Sequence, residues 1–355
     1  MKAPADPRFA LSVSSSDVWR APARLMPNAA GVAMLWAAAL ITLAPTTLRA
    51  AIPAPLVLER KIALPGVEGR IDHMAYDPGR GVLFIGEVGA GALEAVEVKT
   101  GRRTGRIEHL SEPQGVAYLS REDEVAVASG GDGTIRFYAA ADLRLVATLK
   151  LKGDADNLRV DPRSGRLIAA DGSGFAVIDP KTHAIVSRTE VGDHPEGFQI
   201  EPRGGQVVAN VPNQHRIVAA DLATGKLTAS WRQLFLMNFP MTLGPSGLAA
   251  TVFRAPATLL VFDGRTGATV ARRGACGDSD DLAFDPVRPR LYVTCGSGGV
   301  QVFEVRGKDF SSLGVVATRA GARTSLFVPQ LDRLFVAARA SGGQAAAILV
   351  LKPQP

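Results

Sequence analysis

Two histidines with neighbouring carboxylates are the residues of this sequence best suited to chemistry. His73 follows Asp72, and His194 lies two positions before Glu196. Neutral imidazole and carboxylate groups are ligands for zinc and other transition metals. However, no HxH or HExxH spacing brings two such ligands together along the chain. The spacing therefore predicts no metal site. If the protein does bind a divalent metal, His73 and His194 are the candidate ligands.

The histidines belong to a larger polar set that lies just before a series of short apolar runs. Acids recur at the same position in several of these runs, as Asp72, Asp156, Glu196 and Asp280. If the fold brings these groups together at the mouth of a narrow channel, as the propeller predicted below would, they would focus the electric field there. They could then bind a cation or a polar small molecule. For each single residue, the alternative is a loop residue that is solvated or caps a turn. The predicted ligand-binding residues are Arg70, Asp72, His73, Asp156, Asn157, His194, Glu196, Asn238, Asp280, Asp281 and Arg323.

The apolar runs are strands of a repeated unit. In Ser279–Val305 three such runs are separated by a Pro-rich turn and a Gly-rich turn, which is typical of consecutive antiparallel strands. The turn after the first strand carries a proline in most units, at Pro78, Pro162, Pro202, Pro245, Pro286 and Pro329. The intervals are 84, 40, 43, 41 and 43 residues, and the long one is twice 42. The chain therefore contains seven units, one of which has lost its proline.

Units of about 42 residues with four strands each predict β-propeller blades. The last unit stops at its third strand, and Pro55–Leu64 resembles the missing fourth one. We therefore predict an all-β, seven-bladed β-propeller over residues 52–355, whose ring is closed by the N-terminal strand joining the last blade. A solenoid is the alternative, but it would not need this closure. Propeller geometry adds further channel-face residues, which are Gln114, Glu87, Asp171, Asn210, Arg254 and Arg339.

The two cysteines lie in the sixth unit. Cys276 precedes its first strand, and Cys295 ends its second strand. Adjacent antiparallel strands bring these two ends together, so a disulfide is expected in an oxidising compartment. Two separate buried thiols are the alternative.

Residues 1–51 have the pattern of a secretory signal peptide. The uncharged run Ala29–Pro45 follows Arg20 and Arg24, and small residues come after it. A retained membrane anchor is the alternative, since the run is near the shortest length that spans a bilayer. Both interpretations place the propeller outside the cytoplasm, in the periplasm or the medium, and only an uncleaved segment would contact the membrane.

Composition and missing motifs exclude several classes of function. The formal charge is +6, but the basic residues are scattered, so nucleic-acid binding is not indicated. The sequence has no CxxCH for haem, no GxSxG elbow and no GxxxxGK[ST] loop. Only Trp231 of the three tryptophans lies in the propeller, so the Trp-rich signature of quinone-binding (PQQ) propellers is missing. The cofactor stays unknown, with a divalent metal as the one that the residues suggest.

Second-strand segments resemble the YVTN-type propeller repeat. They read LYVT at Leu291–Thr294, LFIG at Leu83–Gly86 and VVAN at Val207–Asn210. First strands end in Asp-Pro or Glu-Pro, and third strands end near Thr-Gly, as at Thr100–Gly101. The family of proteins with this repeat includes YncE-like exported bacterial propellers and archaeal surface-layer proteins. It is similar in fold to the propeller subunit of quinoprotein amine dehydrogenases. The resemblance implies an extracytoplasmic binding platform, usually without an assigned reaction.

We therefore expect an exported, monomeric and non-catalytic propeller that binds a small ligand or a protein partner at its channel face. One alternative is a metal-dependent propeller enzyme, either a lactonase-like hydrolase or a dehydrogenase-associated subunit. Another is a cell-envelope scaffold that uses its outer strands.

Overall fold

Short antiparallel strands build the part of the chain that the computed structural model describes, residues 53–355. The predicted signal segment lies outside these residues. The first strand, β1 (Leu56–Ala63), belongs to the last blade, and the remaining strands follow in chain order. Two 3-10 turns, Pro212–Gln214 and Pro245–Gly247, complete the secondary structure of residues 53–355.

The strands form four-stranded sheets, one per blade, with each strand beside its sequence neighbour except in blade 7, where β1 lies beside β28. Blade 1 contains β2 (Met74–Asp77), β3 (Val82–Glu87), β4 (Ala92–Glu97) and β5 (Arg102–Ile107). Blade 2 contains β6 (Pro113–Leu119), β7 (Glu124–Ser129), β8 (Thr134–Ala139) and β9 (Leu145–Lys150). Blade 3 contains β10 (Ala155–Val160), β11 (Leu167–Asp171), β12 (Gly174–Asp179) and β13 (Ala184–Glu190). Blade 4 contains β14 (Phe198–Ile200), β15 (Gln206–Val211), β16 (Arg216–Asp221) and β17 (Lys226–Arg232).

The remaining blades follow the same order. Blade 5 contains β18 (Leu236–Leu243), β19 (Leu248–Ala255), β20 (Ala257–Asp263) and β21 (Thr269–Gly274). Blade 6 contains β22 (Ser279–Phe284), β23 (Arg290–Cys295), β24 (Gly299–Arg306) and β25 (Asp309–Ala317). Blade 7 contains β26 (Ser325–Val328), β27 (Arg333–Ala338), β28 (Ala347–Pro353) and the returning β1.

The ring closes as the sequence predicted. Strand β1 pairs antiparallel with β28, from Leu56 opposite Pro353 to Ala63 opposite Ala347. The first strands of neighbouring blades contact one another around the ring, including β2 with β26 across the closure. The first strands are therefore the innermost strands and surround the central channel. The prediction of seven four-stranded blades is confirmed.

The core is divided among the spaces between blades. Residues 53–355 form seven apolar clusters, one between each pair of neighbouring blades. Strand β3 shows how this arises, because Leu83 and Ile85 pack toward blade 7 while Phe84 packs toward blade 2. Successive side chains of a strand point to opposite faces of the sheet, and both faces are covered here. This explains why second and third strands are buried at most positions.

Acids at the ends of the first strands fix the following turns. Asp77 Oδ1 accepts hydrogen bonds from the backbone N–H groups of Gly79 (2.8 Å) and Arg80 (3.2 Å). Asp285 does the same for Val287 (2.8 Å) and Arg288 (3.0 Å). These are the acids of the Asp-Pro pairs in the repeat, so this part of the pattern has a structural role.

Candidate ligand site at the channel mouth

A cavity of about 180 Å³ opens at the end of the channel where the first strands begin, and we call it the mouth cavity. Residues of blades 1 to 6 contribute to its wall, because each first strand begins beside the channel axis. The wall contains Arg70, Asp72, His73, Gln114, Asp154, Asp156, Asn157, Arg159, His194, Glu196, Gly197, Phe239, Pro240, Met241, Asp280 and Asp281. A cavity of this size holds an ion or a molecule of few heavy atoms, since drug-sized pockets begin at about 300 Å³.

Most of the predicted ligand-binding residues line the mouth cavity, and two do not. Asn238 is fully buried, and its amide donates to Asn210 Oδ1 at 2.8 Å. Arg323 lies behind the wall and contacts Asp280 at 3.0 Å and Asp278 at 3.2 Å. Asn238 therefore joins blades 4 and 5, whereas Arg323 acts on the cavity through Asp280.

Asp280 is held by two arginines from neighbouring blades. Arg254 Nη2 lies 2.7 Å from Asp280 Oδ1, and Arg323 Nε lies 3.0 Å from Oδ2. Burial nevertheless raises the pKa of Asp280 to about 6, against the effect of Arg254. The Arg254 guanidinium also lies 4.1 Å from the centre of the Phe239 ring. This side of the mouth cavity is therefore well partnered.

The wall from blade 1 combines Arg70, Asp72 and His73. Arg70 Nη2 lies 2.8 Å from Asp72 and donates to Gln114 Oε1 at 2.6 Å. Burial raises the pKa of Asp72. The His73 ring nitrogens lie 3.8 Å from Asp72 and 3.7 Å from Asp281. Burial opposes the charged form of His73, but these carboxylates outweigh it and raise its pKa to about 9. The two carboxylates therefore favour the charged form of His73.

Blades 3 and 4 bring Asp156, His194 and Glu196 together. Each offers one ligand atom, and these atoms lie within 4.8 Å of one another. His194 Nδ1 lies 3.1 Å from the Gly172 carbonyl oxygen, and Nε2 lies 3.5 Å from Asp156 Oδ2. Burial opposes the charged form of His194, but Asp156 raises its pKa to about 9. Burial and Asp156 raise the pKa of Glu196 to about 7.

His73 and His194 come from blades 1 and 4, yet both line the same cavity. The sequence spacing did not indicate the grouping of His194 with acids of two blades. The available signal was that units 3 and 4 carry acids at the same blade position, and these units are neighbours in the ring.

Arg159 is a further wall residue that the sequence reasoning missed. Its Nη1 donates to the Leu158 carbonyl oxygen at 2.8 Å, and within residues 53–355 it forms no salt bridge. Burial lowers its pKa. Arg159, His73 and Asp281 also line a second cavity of about 410 Å³ further along the channel. They therefore separate the mouth cavity from that chamber. The signal was Arg159's position on β10, three residues beyond Asp156 on the innermost strand.

Most of the residues that were predicted to reach the channel face from the ends of second strands have structural roles. Asp171 Oδ1 accepts from the backbone N–H groups of Lys152 and Gly153, at 2.9 and 3.1 Å. Glu87 is fully buried and lies 2.7 Å from Arg106. Asn210 donates to the Pro240 carbonyl oxygen at 2.9 Å. Arg254 is the one of this group that contacts a wall acid directly, and Arg339 is exposed.

The cysteines of blade 6 form a disulfide. Cys276 and Cys295 have Cα atoms 5.8 Å apart, and the bridge joins the start of the blade to the end of β23. It lies at the same end of the blade as Asp280.

Within residues 53–355, no helix has the length and apolar character required to cross a membrane.

The fold and its closure define the chain as a seven-bladed β-propeller. No family model matches this sequence, and no curated protein matches it. Solved structures of propeller proteins do match this chain. A chain of the "Crystal Structure of Mitotic Checkpoint Complex" is 12% identical with a TM-score of 0.71, covering 84% of this chain and 92% of that one.

Two further structures give the same result. U3-55K is 11% identical with a TM-score of 0.71, covering 85% of this chain and 99% of that one. A chain of Kuenenia stuttgartiensis hydrazine synthase is 14% identical with a TM-score of 0.65, covering 77% of this chain and 95% of that one. At these identities the similarity shows the fold alone.

Proposed function

We propose that this protein is an exported, YVTN-type, YncE-like propeller that binds a small polar ligand in the mouth cavity without catalysing a reaction. The observation that carries the proposal is the convergence of charged side chains from blades 1, 3, 4 and 6 on one cavity of about 180 Å³. Charged groups are costly to bury without partners, so a shared cavity lined by them favours a polar occupant. The small volume favours a small molecule or ion over a protein segment.

Export is supported by the leader pattern of residues 1–51 and by the disulfide of blade 6. Disulfides persist in oxidising compartments. Fractionation of cells that express the full-length protein tests this. We expect the oxidised protein in the periplasm or the medium, and reduced protein in the cytoplasm would contradict export.

A thermal-shift and calorimetry panel tests ligand binding. The probes are small amines, amino acids, monocarboxylates and monosaccharides, in buffer containing EDTA. The variant Asp280→Ala with Asp281→Ala should abolish any binding seen with the wild type. Asp309→Ala is the matched control, because Asp309 also contacts an arginine, Arg273, at 2.8 Å but lies on outer strand β25. Unchanged binding in the double variant would move the site elsewhere.

A metal-dependent enzyme is the second candidate function. The observation that favours it is the group Asp156, His194 and Glu196. Lactone hydrolysis that requires an added divalent metal, and that is lost in His194→Ala, would replace the non-catalytic proposal. Metal binding without hydrolysis would leave the binding function in place.

A further inference from the structure

We infer that the ligand of the mouth cavity is a divalent transition metal ion, bound by Asp156, His194 and Glu196. This inference rests on the proposed function, since it names the ligand class of the same cavity. It assigns the metal to neighbouring blades 3 and 4 rather than to the two histidines, His73 and His194.

The first argument is the spacing of the three donors. Their ligand atoms lie within 4.8 Å of one another. Zinc binds imidazole nitrogen and carboxylate oxygen at about 2.0–2.2 Å, so donors of a tetrahedral site lie about 3.4 Å apart. His194 Nε2 and Asp156 Oδ2 already have a separation of 3.5 Å. Glu196 offers the third ligand atom of the group.

The second argument is the orientation of the His194 ring. Nδ1 lies 3.1 Å from the Gly172 carbonyl oxygen and can only donate to it. This contact directs Nε2 toward Asp156. Metal-binding histidines commonly donate their other ring nitrogen to a carbonyl in this way, which fixes the tautomer and the ring position. Gly172 lies outside the proposed ligand set, so the orientation does not depend on the ligands themselves.

The third argument is that two polar atoms of the cavity wall, Asp156 Oδ1 and Asn157 Nδ2, have no hydrogen-bond partner among residues 53–355. Asp156 is 7% exposed, and no hydrogen bond from residues 53–355 reaches its Oδ1. Asn157 is 4% exposed and lines the same cavity, and its Nδ2 donates to no acceptor in the described chain. Polar atoms that line a cavity without a protein partner are available to a ligand that enters it. A metal ion could bind the free carboxylate oxygen of Asp156. A water or anion bound to that ion would accept a hydrogen bond from Asn157 Nδ2.

The donor set indicates the class of metal. One imidazole and two carboxylates suit Zn²⁺, Co²⁺, Ni²⁺ or Mn²⁺, whereas Ca²⁺ and Mg²⁺ prefer oxygen ligands alone. Thiolate ligands are not offered, because Cys276 and Cys295 are paired with each other. Three protein ligands would leave at least one coordination position open toward the cavity for water or a small molecule.

The test is metal titration of the purified protein after EDTA treatment and dialysis. We expect one Zn²⁺ per chain by calorimetry and one Co²⁺ per chain by its visible absorption. His194→Ala and the isosteric Glu196→Gln should each weaken Zn²⁺ binding by at least about tenfold. If His194→Ala does not fold, Glu196→Gln and Asp156→Asn carry the test.

His183→Ala is the matched control, because His183 and Glu124 also join neighbouring blades, with a contact of 2.8 Å outside the mouth cavity. It should bind Zn²⁺ like the wild type. Absence of a one-to-one site, or equal affinity in His194→Ala and the wild type, would overturn the inference. Small-molecule binding in EDTA that is lost in the Asp280→Ala and Asp281→Ala double variant would then still support the proposed function. Neither metal nor small-molecule binding would overturn both.

Discussion

The first strands carry acids at both of their ends, and the two sets differ in how many hydrogen bonds they accept. Asp285, at the end of β22, accepts from two backbone N–H groups, from Arg288 at 3.2 Å and from the Tyr292 hydroxyl at 2.6 Å. Asp156, near the start of β10, has a single side-chain contact within the described residues, His194 at 3.5 Å. Both acids are mostly buried, at 6% and 7% exposure.

This difference separates structural acids from acids available to a ligand. An acid whose oxygens all accept hydrogen bonds stabilises its turn and has no free oxygen with which to bind a ligand. An acid that is buried with few partners costs free energy until something else binds it. Four predictions test this contrast between the turn end and the mouth end of the blades.

The largest expected effect is that of Asp285→Ala. The change removes the turn cap and leaves the buried Tyr292 hydroxyl without its acceptor, so the free energy of unfolding should fall by about 3–4 kcal/mol. Urea unfolding followed by fluorescence measures it. Asp263→Ala is the control, because Asp263 caps the turn between β20 and β21 through Arg265 and Thr266 N–H, at 2.9 Å each, without a buried tyrosine. Equal losses in both variants would contradict the role of Tyr292.

Removal of the blade 6 disulfide should have the next largest effect. The bridge joins residues separated by 19 positions. Chain entropy then predicts that Cys276→Ser with Cys295→Ser lowers the free energy of unfolding by about 3 kcal/mol. Unfolding of oxidised protein, with a thiol assay on the denatured unreduced sample, measures it. Two free thiols in that assay, or unchanged stability, would argue against the bridge.

A smaller effect is expected from Glu87, a fully buried acid at the end of second strand β3. Burial and the nearby Glu94 raise its pKa to about 8 from 4.5. The folded state therefore holds a proton that the unfolded state releases, so stability falls as pH rises from about 5 to 8. Per pH unit the change should stay below about 1.4 kcal/mol, which is the limit for one proton. Urea unfolding at several pH values should show a shallower slope for Glu87→Gln, and identical slopes would contradict this assignment.

The smallest effect is expected for Glu196→Gln in metal-free buffer. Glu196 has no hydrogen-bond or ion-pair partner among residues 53–355 at side-chain level, and it lies near Asp156 and Asp280. Removing its charge should lower the free energy of unfolding by less than about 0.5 kcal/mol, because burial and Asp156 already disfavour the carboxylate that the change removes. Urea unfolding in EDTA measures this. A loss close to that of Asp285→Ala would place Glu196 among the structural acids and remove the contrast.

Local pattern was enough to predict the architecture of this protein. Strand length, the turn at Pro286 and its equivalents, and the strand-like Pro55–Leu64 predicted blades, their number and the closure. These features depend on residues close in sequence or on a repeat, which is why they can be recognised without a structure. The same register correctly identified Asp72, Asp156, Glu196 and Asp280 as residues near the channel axis.

Partnerships between blades could not be predicted in this way. Arg254 with Asp280, and His194 with Asp156, are separated by 26 and 38 positions and meet only because the ring has a particular radius and blade twist. The sequence therefore determined most of the residues that lie at the mouth of the channel. Only the tertiary structure decided which of them are already neutralised and which remain without a partner, because partnering depends on distances of a few ångströms between separate sheets.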